Sequence, residues 1–338
     1  MRPRIFIGLP KSFEVNNLIQ KNLELLGYDV INISFPEHKK VKKSIISTIN
    51  YIYRKHILND RNFKSTLKFA PYKVEIDSKI NKIDGLVDYT LLFRADIYPI
   101  ETVLKLREKS KSMITYHWDG LHRFPAIKKL IPYFDRFFVF DPKDVSDNFL
   151  PTTNFYFNSE NSVVVSKPTY DIYFMGSFIS QRMPEIEKFL NDIRRLNLKT
   201  YFHIFCSSEK KQKQFQLPEI TYSTHHISYF ENLENIKKSN VVIDFLNGTH
   251  DGISFRVYEC IQFDKKLITN NPKIKMYNFY HPNNIFLWTG NNIKELKDFL
   301  QVEYIILPKI KETYSFSNWI NYVLDIKPHI PISLPSKN

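Results

Sequence analysis

Cysteine is almost missing: the 338 residues hold two, Cys206 and Cys260. Their wide separation fits neither a metal-ligand spacing nor a disulfide framework, which points to a reduced, cytoplasmic setting. Glycine is scarce as well, with 8 in the chain, so a glycine that closes a strand carries weight. No segment approaches the roughly 18 consecutive apolar residues of a membrane span. The apolar run in Met1–Gly8 is too short for a secretory signal. Any meeting with a membrane is then expected to be peripheral. Also absent are a Walker A loop, a Gly-x-Gly-x-x-Gly turn, a Gly-x-Ser-x-Gly elbow and a His-Glu-x-x-His helix. That moves P-loop kinases, typical NAD enzymes, esterases and zincins out of the front rank. No short-period repeat and no low-complexity block occurs.

What the chain does have is core material and positive charge. Hydrophobic residues make up 43%, with 28 Phe, 20 Tyr and 3 Trp, enough to exclude disorder. The length is more than twice that of one ordinary domain, so two domains are expected. The formal net charge of +13 favours anionic partners: phosphates, nucleic acid, acidic glycans or an anionic membrane face. Part of that excess belongs to a generally Lys-, Asn- and Ile-rich composition. The lysine cluster 39–43 reads as a solvated helix face or, functionally, as a dock for the anionic inner membrane face.

Both halves open the same way. The pattern predicts a strand over 4–9 ending at Gly8, a helix over 13–26 stopped by Gly27, and a strand over 28–33. A helix over 40–58 follows, and 60–84 is poorly patterned. Then come strand 87–93, helix 100–109, strand 112–117, helix 123–132 and strand 136–140. Residues 150–168 read as a linker. The second half restarts with an apolar strand over 170–176 ending at Gly176. It continues with helix 182–196, strand 199–205, a short helix near 208–215, strand 219–223, helix 229–238 and strand 240–246. After a loop come helix 254–263, strands 266–269 and 284–288, helix 293–300 and a last helix over 315–325. Such alternation predicts α/β architecture: two Rossmann-like parallel-sheet domains. The expected divisions are 1–160, 169–308 and a 309–338 extension whose helix returns to the first domain. Ligands of such sheets gather at the carboxyl ends of strands, which places the functional residues at a shared cleft.

The most informative segment is 247–272. A helix opening near Ser254 aims free backbone N–H groups into the preceding loop and makes an anion site. Arg256 lies in the first turn, where a cation is unfavourable unless an anion compensates it. Glu259, three residues on, shares its face. A nucleotide satisfies this arrangement, with phosphates at the N–H groups and Arg256 and ribose hydroxyls at Glu259; an Arg–Glu surface pair satisfies it too. In the first half, His117 and Asp119 end a strand and are candidates for a general base; a half-buried structural histidine and a loop cap are the plain readings. His225–His226 lacks a third partner at metal spacing. His203 reads as core or cleft wall.

Asp251-Gly252-Ile253-Ser254-Phe255-Arg256-Val257-Tyr258-Glu259 resembles the acidic-x7-Glu signature of GT-B glycosyltransferases. Residues 252–269 resemble more closely the CgeB-like and the capsular or lipopolysaccharide biosynthesis transferases. Tyr170–Gly176 with Ser177 and Arg182 is similar to the first strand of their donor domain, and Tyr116-His117-Trp118-Asp119 with Phe124-Pro125 to another segment of theirs. Phe138–Asp144 is similar too, so the likeness spans about 112–290. The family signature differs in having Glu for Asp251 and Gly for Ser254. The resemblance implies that Glu259 holds the nucleotide ribose and Asp251 contacts the donor sugar. Gly252, Ser254 and Arg256 would hold phosphate, with Gly176, Ser177 and Arg182 beside the donor and Gly8 facing it across the first-domain loop. No Asp-x-Asp motif occurs, so the implied mechanism is metal-independent, with arginine and helix N-termini meeting the leaving phosphate. No cofactor is expected; the nucleotide-sugar is a substrate, the acceptor a glycan or lipid-linked glycan, and nucleic acid is not an expected partner. Two alternatives stay open: a GT-B-fold sugar-nucleotide epimerase or polyol-phosphate transferase, and a non-catalytic polyanion- or glycan-binding module.

Overall fold

The computed structural model describes residues 2–11, 14–36, 63–158, 168–246 and 251–336. The predicted helix over 40–58, the lysine cluster 39–43 and most of the loop 247–252 lie outside them. The chain divides into two compact units. Unit 1 is Met1–Thr153 with Trp319–Asn338, and unit 2 is Asn154–Asn318.

Unit 1 is built on six parallel strands: β1 (Arg4–Gly8), β2 (Asp29–Asn32), β3 (Val87–Phe93), β4 (Ser110–His117), β5 (Arg136–Val139) and β6 (Leu150–Pro151). Their order across the sheet is β2-β1-β3-β4-β5-β6. The strands are near-continuous apolar runs because a parallel sheet is covered on both faces. Helix α1 (Val15–Leu25) joins β1 to β2. It ends in a Schellman turn: Gly27 at φ 92° lets Tyr28 N–H reach the Leu23 carbonyl and its own N–H reach that of Glu24, both at 3.0 Å. The poorly patterned stretch 60–84 contains two helices, α2 (Phe63–Phe69) and α3 (Lys73–Asn81). Their buried residues Phe69, Ile76 and Ile80 are too few for a helical stripe to stand out among the lysines. After α4 (Ile100–Glu108), the expected helix over 123–132 is a 3₁₀ run, Pro125–Tyr133. Pro132 has no N–H to continue an α-helical ladder. The linker expected from residue 150 begins instead with β6.

Unit 2 repeats the design with β7 (Tyr170–Ser177), β8 (Thr200–Phe205), β9 (Ile220–Ser223), β10 (Ser239–Asp244), β11 (Lys266–Thr269) and β12 (Ile285–Leu287). These are all parallel, in the order β12-β11-β10-β7-β8-β9. Helices α5 (Met183–Ile193), α6 (Glu209–Gln212), α7 (Tyr229–Lys237), α8 (Phe255–Gln262) and α9 (Leu296–Gln301) connect them. Two further helices close the chain: α10 (Pro308–Thr313), which the sequence pattern did not suggest, and α11 (Phe316–Leu324). The core of unit 2 centres on Phe174, Phe189, Phe202, Phe245 and Trp288.

In each unit the first strand has neighbours on both sides, so strand order reverses there: between β1 and β3 in unit 1, and between β7 and β10 in unit 2. Crevices open at the carboxyl ends of such reversal points, because the connections leave toward opposite faces.

The chain returns to unit 1 at Trp319, which is fully buried. Its ring stacks on Phe93 at 5.7 Å and meets Tyr116 edge-on at 5.3 Å. Its indole N–H donates to the Thr153 carbonyl at 2.9 Å. Trp319→Ala should destabilise unit 1 by about 3–5 kcal/mol, as for other large aromatic deletions in cores. Urea unfolding followed by circular dichroism measures this.

Candidate functional site

The reversal point of unit 2 carries a guanidinium bridge. β7 and β10 run side by side, with Tyr173 opposite Val242, so Met175 and Asp244 emerge together two residues further on. Arg256, in the first turn of α8, donates Nη1 to Asp244 Oδ1 at 2.8 Å and Nη2 to the Met175 carbonyl. The resolved partner is thus Asp244 and not Glu259. Sequence reasoning missed Asp244, whose signal is a lone charge inside the apolar run Val241–Leu246.

Arg182 joins the same spot from the N-terminal cap of α5. It is 9% exposed, and its Nη2 donates to the Ser177 carbonyl. Burial, reinforced by the neighbouring Arg256, pushes its guanidinium down to about 10, with Asp244 opposing. Gly176 makes room for it: a Cβ there would lie 2.8 Å from Arg182 Nη2. Both guanidinium carbons lie near the Phe174 ring, at 5.4 and 5.6 Å from its centroid.

Ser254 is the N-cap of α8, with extended backbone at φ −67° and ψ 157°. Its hydroxyl makes no capping bond and is buried without a partner. Ser228 on α7, by contrast, accepts from Glu231 N–H at 3.1 Å. The Nε atoms of Arg182 and Arg256 are likewise buried without partners. Two guanidiniums, the Asp244 carboxylate, an uncommitted hydroxyl and a helix N-terminus make a partly desolvated site suited to an anion, with the buried Glu259 within reach of the Arg256 charge.

Of the other expected donor residues, Glu259 is close enough to Arg256 to feel its charge. Asp251, 19% exposed at its side chain, is paired with Lys273, and Gly252 is buried next to it. Glu259 lies one turn into α8 at 3% exposure. Asn232 of α7 donates to its Oε2 at 3.4 Å. Burial raises its pKa, while Arg256 pulls the other way. His203 is 6% exposed on β8.

The carboxyl end of β3 and β4 in unit 1 holds the first-half candidates. Arg94 follows β3 with φ 57°. It grips Asp96 with Nε and Nη2 at 2.7 and 2.8 Å and Asp119 with Nη1 at 2.9 Å. Arg123 takes the other Asp119 oxygen at 2.9 Å. Arg94 also lies flat on Phe124, 3.6 Å from the ring centroid. His117 is fully buried, 3.7 Å from Asp96 Oδ1, and neither ring nitrogen has a hydrogen-bond partner. Arg94 and Asp96 had no signal in sequence beyond their place just after a strand. Gly8, at the end of β1, has a packing reason: a Cβ there would lie 2.6 Å from the Tyr98 hydroxyl. Among the described residues no group of three or more His, Cys, Asp or Glu side chains is arranged to hold a metal ion.

No protein-family model matches the chain, and no curated protein matches it. Solved structures do. The apo form of the lipopolysaccharide outer core galactosyltransferase WaaB matches with TM-score 0.51 at 12% identity, over 94% of this chain and 98% of that one. A structure described as "Trehalose-6-phosphate from E. coli bound with UDP-2-fluoro glucose" matches with TM-score 0.52 at 10% identity, over 89% and 92%. A putative UDP-N-acetylglucosamine 2-epimerase from Listeria monocytogenes matches with TM-score 0.53 at 8% identity, over 99% and 100%. The fold is GT-B-like. In its unit 2 the guanidinium bridge lies where an α/β sheet receives ligands. No helix among the described residues is long and apolar enough to cross a membrane.

Burial holds the His117 imidazole down at about 4, against an ordinary 6.5, with the nearby Asp96 opposing. Between those values the unfolded chain binds the extra proton and the folded chain does not, so stability falls as pH drops from 6.5 to 4. Equilibrium unfolding across that range should show His117→Phe losing about 3 kcal/mol less than the parent protein.

Proposed function

We propose that this protein is a glycosyltransferase that moves a sugar from a nucleotide-sugar donor to a glycan acceptor. The observation that carries the reading is the pair of neighbouring guanidiniums beside the N-terminus of α8: Arg256, paired with Asp244, and Arg182, bonded to the Ser177 carbonyl, with the Nε of each buried and unpartnered. Two largely enclosed cations, of which Arg256 alone is ion-paired, are suited to the phosphates of a donor and to the charge that builds on the leaving phosphate. Arginine fits that task because its planar fork holds phosphate oxygens in pairs. In this reading the arginines take the place of a metal ion, so transfer is metal-independent. Ser254 Oγ and the backbone N–H groups of α8 supply further donors. Asp251 and Glu259 keep the roles that the resemblance implies, at the donor sugar and the ribose.

The acceptor is proposed to be a bacterial surface glycan of the capsule, lipopolysaccharide or O-antigen kind. The resemblance over 112–290 and the likeness to WaaB support this. His117 is enclosed and held neutral, which leaves Asp119 as the better placed of the two candidate bases. Action in the cytoplasm, peripheral to the inner membrane face, is part of the same proposal. The likeness to the Listeria epimerase favours one second reading on the same donor site. The two differ in a single outcome: a transferase releases free nucleotide only when acceptor is present.

A thermal-shift titration with UDP, GDP, ADP, CMP and dTDP tests the donor site. One of these should stabilise the protein, by about 2.7 kcal/mol at 100 times its dissociation constant. EDTA should leave the shift intact. Arg256→Ala and Arg182→Ala should abolish or strongly reduce it at unchanged fold. A shift that survives both substitutions refutes the assignment.

A further inference from the structure

Unit 1 carries a cavity at the edge of its sheet that lies away from the strand carboxyl ends. β1 and β2 begin side by side, with Arg4 opposite Asp29. Around these amino ends a cavity of about 680 Å³ is lined by Arg2, Arg4, Glu24, Tyr28, Asp29 and Val30. Ligands of α/β sheets gather at the other end of the strands, so neither donor nor acceptor explains it. Two arginines face two carboxylates across it, and among the described residues no ion pair joins them. Arg4 instead donates Nη2 to the Asp84 and Leu86 carbonyls at 3.1 and 2.7 Å, which braces it and leaves its remaining N–H groups for a ligand. Asp88 is already occupied: Lys111 Nζ donates to one of its oxygens and the Arg4 backbone N–H to the other, both at 2.8 Å. Tyr28 is 6% exposed, and its ring meets Tyr89 edge-on at 6.4 Å. Burial and the Tyr89 phenol push its hydroxyl up to about 12, with no hydrogen bond to offset them, so it is a protonated donor on the cavity wall.

The polarity of the cavity is split. The arginines form one pole. Glu24 and Asp29 form the other, with the C-terminal end of α1, where a cation is favoured and the last turn holds no basic residue. The lining therefore carries no net charge, on a chain of +13. Beside it stand apolar side chains that the fold leaves in solvent. Leu25 and Leu26, which follow Glu24, are 68% and 43% exposed, and Leu86, whose carbonyl holds Arg4, is 45% exposed. Exposed leucines are ordinary when scattered, but gathered around one polar cavity they mark an interaction site.

We propose that this cavity receives the phosphoethanolamine headgroup of a membrane lipid, with the phosphate at Arg2, Arg4 and the Tyr28 hydroxyl, the ammonium at Asp29 and Glu24, and the leucines at the border of the acyl chains. This gives a place to the peripheral membrane contact proposed above and rests on that part of the reading. A guanidinium fork pairs with phosphate oxygens. The carboxylates prefer an ammonium that donates N–H bonds to a trimethylammonium, which has none to give. A headgroup with negative charge alone would meet the arginines but repel Glu24 and Asp29. A free zwitterion would fill both poles and leave the leucines in water, so the lipid is the occupant that uses every feature of the site. β1 is 5 residues long, about 16 Å, so its carboxyl end stays within reach of a glycan carried on the same membrane.

The test floats the full-length protein with vesicles of phosphatidylcholine, alone or mixed with phosphatidylethanolamine or phosphatidylglycerol, at low and at raised salt. Ethanolamine vesicles should bind about tenfold more tightly than choline vesicles, because hydrogen bonds to charged groups are at stake. Most of that binding should survive raised salt, which releases contacts made by surface lysines alone. Asp29→Asn combined with Glu24→Gln should bring ethanolamine vesicles down to the choline level. Arg2→Ala and Leu25→Ser should each weaken them. All four residues are exposed, so the fold survives these changes. Equal binding of ethanolamine and choline vesicles, binding to phosphatidylglycerol alone that raised salt removes, no binding to any vesicle, or full binding by the double variant overturns the proposal. Soluble glycerophosphoethanolamine that binds as tightly as the vesicles, with no effect of Leu25→Ser on either, overturns it as well, since the site would then serve a free solute. The nucleotide thermal shift, read on the same samples, reports unit 2 separately. Lost vesicle binding with an intact shift defeats this inference alone. Selective vesicle binding with no shift for any nucleotide supports it and defeats the transferase reading instead.

Discussion

Arg256 spans the reversal point of the second sheet, and the candidate active site hangs on that bridge. Its guanidinium ties the first turn of α8 to the ends of two strands, through the Asp244 carboxylate and the Met175 carbonyl. A cation at a helix N-terminus opposes the helix dipole. Asp244 offsets that cost, and Arg182, bonded to the Ser177 carbonyl, adds a second positive group nearby. The consequence is a small region that is short of negative charge while its fold is otherwise complete. Ser254 Oγ, left unpaired at the cap, belongs to the same shortage. An anion at this place would answer each of these features together.

Glycine is spent where this arrangement needs it. Gly176 leaves space that a Cβ would take from Arg182. Gly27 closes the first helix so that β2 can begin at once. Gly8 serves the core, since Tyr98 fills the volume above it. With 8 glycines in the chain, these positions show how little conformational licence the fold requires. Its loops rely instead on side-chain clamps such as Arg94 between Asp96 and Asp119. At that clamp two guanidiniums, Arg94 and Arg123, are matched by two carboxylates.

Much of the architecture was legible in the sequence. The apolar strands 87–93, 170–176 and 266–269 are buried on both faces, so their identity is local. Gly27 and Ser228 mark helix ends by chemistry that acts within four residues. Helices α2 and α3 escaped notice because three buried residues set among lysines give little periodic contrast. The 3₁₀ run at Pro125–Tyr133 passed for an α-helix because its apolar spacing is similar and only Pro132 speaks against it. The site was legible in part. Arg256, Ser254 and Arg182 stand out by motif. Asp244 and Arg94 do not, because their partners lie 12 and 25 residues away; Asp96 is only two residues from Arg94, in a turn that no motif marks. Spacing suggested Arg256 and Glu259 as a pair; packing gave Arg256 to Asp244 and enclosed Glu259 beside Asn232.

The central claim is that the arginine pair recognises phosphate. Calorimetric titration in metal-free buffer, comparing a nucleoside diphosphate with the matching uncharged nucleoside, tests it most directly. The account predicts that the diphosphate binds at least tenfold more tightly and that the difference shrinks as salt is raised. Equal affinity for the two, or binding of neither by folded protein, would contradict it.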